Sequence, residues 1–382
     1  MRIAGLLCFG LLMACEAQST GSNVQGASAT RSVEIALVAN AEAGTVSLVD
    51  VMARKIVGEV DTNPERKKVT RPGTPNYAQD TDVSPDGHTL YVSRGYLGDV
   101  AAFDIPSGRR LWVRDLDTGR ADHMTITPDG KWLFVSLLFD NQVEKIDAAT
   151  GEGKGRFPTG VYPHDNQISG DGRHVYNTSL GQLGDLPAGA PPKVKPANPI
   201  QFTVADIDTL EVVDSFVMPL GIRPWHMNPE GTAFYAQTSN AHAVTMFDFP
   251  SGKETKRLDL PVAAGVSDKD WDFEAPHHGL ALSRDGSVLC LAGRASDYAA
   301  LVSAPDLKLI AMIPLDDAPG WSAMADGDRV CLLANTRADT ISVVSVAERK
   351  EVARIPAGDG PKHITVARLP AEVVRAAAGP AG

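Results

Sequence analysis

Pro-x-His occurs three times at matching points of a repeating pattern: Pro224-x-His226, Pro276-x-His278 and Pro361-x-His363. Pro163-His164 is a close variant, and His123 and His277 sit within one residue of the same point. Pro319-x-Trp321 puts a tryptophan there, and the first copy offers Asp80 and Asp82. Six of the nine histidines thus share one recurring slot. Neutral imidazole is a good ligand for copper, zinc and iron, and a catalytic metal site keeps three protein ligands and an open position. If the slots converge, His123, His164, His226, His277, His278 and His363 are candidate ligands for copper, iron or haem. The plainer alternative is that these histidines fix strand entries and line a pocket for a ligand or a protein partner. In that pocket Asp80, Asp82, Asp165, Arg223 and Trp321 are the candidate contacts, with His242 close by. His278 with Asp80 or Asp165 is also a candidate acid/base pair. Arg94, Arg223, Arg294 and Arg337 are candidates to hold an anion.

The elements that position these residues come from an internal repeat. A turn glycine recurs at Gly87, Gly130, Gly172, Gly231, Gly286 and Gly327, with spacings of 43, 42, 59, 55 and 41. The base period suits a four-stranded propeller blade. In the second copy "HMTITP" alternates, Asp129-Gly130 turns the chain, "KWLFVSLL" is a buried strand, and "QVEKIDAA" and "KGRFPTG" follow. The end "GPKHITVARLP" matches a first strand, and "RSVEIALVANAEAGTVSLVDVMARKIVGEV" matches strands two to four. Joined, they make a seventh blade. The expectation is an all-β, seven-bladed β-propeller of four-stranded antiparallel blades over residues 33–370, closed by pairing of the N-terminal strands with the C-terminal strand. Closure removes free sheet edges. Residues 371–382 read as a disordered tail.

"LVAN", "YVSR", "FVSL" and "LLAN", with "SPDG" and "TPDG", resemble the YVTN-repeat β-propeller family, over roughly residues 33 to 370. That resemblance implies the architecture and says little about chemistry. Some propellers with related repeats are lactonases or lyases. The histidine set resembles in outline the multi-histidine copper centre on the propeller of nitrous oxide reductase, and the haem-bearing propellers of nitrite reductases. No Cys-rich copper domain follows here, and no Cys-x-x-Cys-His haem attachment motif is present.

Strand direction sets the faces. With the link between blades on top, the first strand runs down to the Asp-Gly turn, and the loop between strands two and three is again on top. Two long insertions, residues 181–200 and 261–276, therefore fall on the top face, the second making it acidic in one sector through Asp268, Asp270, Asp272 and Glu274 around Trp271. So does the basic link carrying Arg66, Lys67, Lys68 and Arg71.

Residues 1–14 are apolar after Arg2 and read as a signal peptide, too short for a comfortable transmembrane helix. "Leu12-Met13-Ala14-Cys15" resembles a bacterial lipobox, implying lipid on Cys15, a membrane anchor, and a flexible tether over 15–32. The expected location is extracytoplasmic, periplasmic or at the cell surface. A net charge of −11 with acids spread along the chain argues against nucleic-acid binding. Cys290 and Cys331 lie one position apart on the second strands of neighbouring blades. Packed sheets about 10 Å apart would leave them as two buried free thiols.

Overall fold

The computed structural model describes residues 31–69, 75–181, 199–271 and 275–379. The expected signal peptide, Cys15, most of the tether, Arg71, most of the first top-face insertion and residues 272–274 of the second lie outside the described residues. Within them the chain forms twenty-eight strands, β1 to β28 in chain order. They make seven four-stranded antiparallel sheets. The first strands are β4 (Asp80–Val83), β8 (Ala121–Ile126), β12 (Pro163–Ile168), β16 (Ile222–Met227), β20 (Leu280–Leu282), β24 (Pro319–Ala325) and β28 (Pro361–Pro370). Each packs against the first strands of the two neighbouring sheets. The fold is a seven-bladed β-propeller. One blade is mixed in chain position: β28 pairs with β1 (Ser32–Asn40) over nine residue pairs, followed outward by β2 (Thr45–Asp50) and β3 (Lys55–Asp61).

The repeated motifs act through local hydrogen bonds. All six turn glycines are left-handed, with φ from 62° to 73°, a conformation that favours glycine. In "TPDG" the Thr127 hydroxyl accepts the Trp132 N–H at 3.0 Å, and the Asp129 carboxylate accepts the Lys131 N–H at 3.1 Å. Ser84, Ser169 and Ser283 repeat the first bond at 2.9 Å. The Asn ending "LVAN" and "LLAN" staples strand two to strand three. Asn40 donates to Thr45 and Ser47, and Asn335 to Thr340 and Ser342. In the first blade Arg94 takes that place. It is fully buried and grips Asp99 with two bonds of 2.6 and 2.7 Å. Arg94 is therefore a structural residue rather than an anion contact.

Two expectations fail. Residues 371–377 are not a disordered tail but form a helix, α1 (Ala371–Ala377), which buries Val373 and Val374 in the core between the β28–β1 blade and the neighbouring β4 blade. Apolar side chains spaced for one helical face found a surface to cover. The second concerns the cysteines. Cys290 on β21 (Val288–Gly293) and Cys331 on β25 (Val330–Asn335) form a disulfide, with Cα atoms 6.5 Å apart. The 10 Å sheet spacing applies to sheets facing across their middles, whereas propeller blades converge toward the axis. Here β24 packs directly on β21, and the Ser322 hydroxyl donates to the Cys290 carbonyl at 3.0 Å. The bridge spans 41 residues. Chain-entropy arguments give such a loop a stabilisation of up to ~4 kcal/mol. Replacing both cysteines with serine is expected to cost about 2–4 kcal/mol in denaturant unfolding, and dithiothreitol is expected to destabilise the wild type but not the double variant.

Candidate functional site

A shared irregularity sets which side chains face the axis. In β8, Ala121 pairs with Leu137 and Met124 with Val135, so Asp122 and His123 together oppose one residue. The same step occurs at His164 and Asp165, at Arg223 and Pro224, at Gly320 and Trp321, and at Lys362 and His363. Backbone bonds place Gln79 with Asp80, and His278 with Gly279, in the equivalent positions. A bulge of this kind re-aims side chains. Each blade therefore gives the channel two residues. The upper tier is Gln79, Asp122, His164, Arg223, His278, Gly320 and Lys362. The lower tier is Asp80, His123, Asp165, Pro224, Gly279, Trp321 and His363. The glycines make room for neighbours: a Cβ on Gly320 would lie 2.5 Å from Arg294 Nη1, and one on Gly279 2.9 Å from Trp321 Cα.

Four of the six candidate histidines come together. His123 lies 4.4 Å from His164 and 5.4 Å from His363 by ring centroids, and His164 lies 5.5 Å from His278. Trp321 closes the group, stacked on His123 at 4.9 Å and 4.1 Å from His363. The other two stand apart. His277 occupies the residue before the upper tier and turns away from the axis, between blades, where its Nε2 is 3.0 Å from Tyr298 Oη and its ring 5.2 Å from His242. His226 sits deeper, past the bulge, and pairs with Tyr235.

The ring cluster separates two cavities. The upper, about 70 Å3, lies among the top loops and is lined by His164, His278, Arg120, Arg223, Arg294 and Lys362. None of its described lining residues is acidic. The lower, about 480 Å3, reaches the bottom turns at Gly327 and Asp328. Asp80, Asp82, Asp165, Trp321, His226 and His363 line it. Of the five contacts expected at the top of the channel, only Arg223 is therefore at the top. The strands run downward, and the carboxylates follow the first inward residue rather than precede it. The expected pairing of His278 with Asp80 or Asp165 is not made, since these groups line different cavities. Arg337 is exposed and lies 3.7 Å from Asp317.

Gln79, Arg120, Asp122 and Lys362 were missed by sequence reading, which gave each blade one inward residue instead of two. The signal was present: the histidines fall in two registers one residue apart.

Asp80 ties three blades together. Its carboxylate accepts N–H bonds from Thr81 at 2.6 Å and Met124 at 2.8 Å, and lies 3.2 Å from His123 Nδ1 and 2.8 Å from His363 Nδ1. Burial opposes its charge, but the two imidazoles outweigh burial and hold it well below the usual carboxylate range. Burial likewise opposes a charged His123, and Asp80 outweighs it and raises that histidine. Burial drives His164 and His278 well below the ordinary histidine range, helped by nearby positive groups, so both are neutral. The His278 Nδ1–H donates to the Gly320 carbonyl at 2.9 Å, leaving Nε2 as the basic nitrogen.

Asp82 is pushed up to about 7 by burial, with Asp80 adding to the rise. Its folded value exceeds its unfolded one, so its contribution to stability is full below about pH 4 and is lost as pH rises to about 7. Asp82 is half-buried on the lower cavity, so solvent screening discounts the effect to ~1–2 kcal/mol. Asp82→Asn is therefore expected to flatten the fall in stability between pH 4 and 7 by that amount, whatever its constant offset. Urea unfolding at several pH values measures this, and a parallel pH profile for the variant would contradict it.

No protein-family model matches the sequence, and no curated protein matches it. Among solved structures the chain is similar to Kuenenia stuttgartiensis hydrazine synthase, with a TM-score of 0.63 and 18% identity over 85% of this chain and 99% of that one. It is also similar to a provisionally named 6-phosphogluconolactonase from Bacteroides fragilis NCTC 9343, with a TM-score of 0.66 and 13% identity over 88% of this chain and 98% of that one. At these identities the likeness is one of fold.

Proposed function

We propose that this propeller binds a small anion at the upper mouth of its channel, outside the cytoplasm. The observation that carries this is the convergence of Arg120, Arg223, Arg294 and Lys362 with two neutral imidazoles on one cavity, against one nearby described carboxylate, Asp122, which lies outside the described lining and 3.3 Å from Arg120. Guanidinium groups are suited to carboxylate and oxyanion recognition, and low local dielectric strengthens the attraction. The cavity holds about two waters' share of liquid volume, which suits a carboxylate group or a compact oxyanion. The channel's polarity fits: Glu34, Asp80, Asp82, Asp165 and Asp328 line its lower half against Arg284, so an anion is favoured more from above than from below.

Isothermal titration calorimetry with acetate, sulfate and phosphate tests the reading. One saturable site per chain for at least one of them is expected, and no saturable heat with any of the three would overturn it.

The extracytoplasmic setting is supported by the disulfide and by the residues from Arg2 to Cys15. Lipid labelling of the protein in a bacterial host, lost on Cys15→Ala, is the expected result for an anchor at Cys15. A Cys15→Ala protein that still takes up label would contradict it. The neutral Nε2 of His278 beside an anion site also favours a second reading, proton transfer on the bound anion, in line with the lactonase or lyase expectation.

A further inference from the structure

We propose that Asp122, His123 and His164 bind a divalent transition-metal ion at the floor of the upper cavity, with an open coordination position facing the bound anion. The anion part rests on the function proposed above, while the metal part stands on its own geometry.

One donor atom from each of the three residues lies within 4.8 Å of the other two, close enough to share an ion. All three are buried, at 0%, 1% and 3% exposure, on adjacent strands β8 and β12. Two imidazole nitrogens and one carboxylate form a donor set that suits zinc, copper, iron or cobalt. Three further observations support it. His164 Nδ1 is buried and has no hydrogen-bond partner, a costly state that a ligand would relieve. The bulge in β8 brings consecutive residues, Asp122 and His123, to the same place, which a regular strand would not do. Asp80 holds His123 by its Nδ1, leaving Nε2 as donor, 3.7 Å from Asp122 Oδ1. A carboxylate behind a ligating histidine is the usual support of a metal ligand.

A competing group, Asp80 with His123 and His363, also has three donors within reach. Its carboxylate is already committed to the N–H groups of Thr81 and Met124, so it serves better as support than as ligand. The Gln79 amide donates to Asp122 Oδ1 at 2.8 Å and lies 3.2 Å from His123 Nε2, so it is the group an ion would displace, while Arg120 Nε lies 3.3 Å from the other oxygen, Asp122 Oδ2, and would stay beside it. The cations around the cavity oppose a bare dication and favour one that carries an anion in its open position. Ion and anion should therefore bind cooperatively, each raising the other's affinity by the same factor.

The test is titration of the tag-free protein with Co2+, read by visible absorption and by metal content after gel filtration. One Co2+ per chain is expected. His164→Ala and Asp122→Asn should each weaken it by about 100-fold or more, above the loss typical of an outer support. His226→Ala, at a half-buried histidine of the lower cavity outside the group, should leave it unchanged. Circular dichroism and melting temperature show that each variant is folded, and Asp122→Asn keeps the shape where His164→Ala opens a hole. Acetate should tighten Co2+ binding about 10-fold, and this gain should vanish in Arg223→Ala. No stoichiometric uptake, or uptake indifferent to both ligand substitutions, overturns the metal site. The acetate, sulfate and phosphate titrations without metal then stand or fall separately.

Discussion

Asp80→Ala is expected to lower stability by about 3–5 kcal/mol, the cost of removing one partner from a buried charged network. The substitution orphans the Met124 N–H and frees two imidazoles, His123 and His363, that Asp80 holds from either side. These groups belong to three blades: β28, β4 and β8. First strands of adjacent blades are not joined by backbone ladders, so side chains must link them. The melting temperature is expected to fall by roughly 5–10 °C. Asp80→Asn keeps one acceptor and should cost less. Because Asp80 is held below its unfolded value, its stabilisation is present above about pH 4 and disappears as the solution becomes more acidic. The gap between wild type and Asp80→Asn should therefore close in acid. A variant within 1 kcal/mol of wild type at neutral pH would contradict this account of the hub.

Arg223→Ala is expected to weaken anion binding by about 30-fold or more, the loss typical of a buried charged partner. Arg223 is 2% exposed, lines the upper cavity, and is held in place by Nε donating to Ser239 at 3.1 Å. Arg223→Lys keeps the charge but loses the planar fork, and should fall between the two. Arg337→Ala, at an exposed pair with Asp317, should leave the affinity alone. Calorimetry on the four proteins separates these outcomes. Equal affinity for wild type and Arg223→Ala would remove Arg223 from the site.

The architecture was legible because the repeat is encoded by bonds within a few residues. Thr127 and Asp129 close a turn locally, and Asn40 and Asn335 staple adjacent strands, so each motif carries its own geometry. The disulfide and the C-terminal helix were not legible. Both depend on how closely distant segments approach, as Cys290 does Cys331 and as Val373 and Val374 do the β28–β1 blade. The site was legible in part. His123, His164, His278 and His363 gather at the axis because their slots share a strand position. His226 and His277 miss it by one or two residues around a bulge that the two histidine registers hint at without showing which side chains it turns inward. Placing Asp80 and Asp165 at the top failed for the same reason, since the bulge assigns them to the lower tier. Lys362 and Arg120 were missed because nothing in the sequence marks a cation as facing inward.

The central claim is that an anion sits where Arg120, Arg223, Arg294 and Lys362 meet. Anomalous diffraction from crystals grown in selenate tests it most directly. The account predicts a selenium peak in the upper cavity, within hydrogen-bond reach of at least two of those four side chains. Ordered selenate elsewhere on the surface, with that cavity free of any peak, would contradict it.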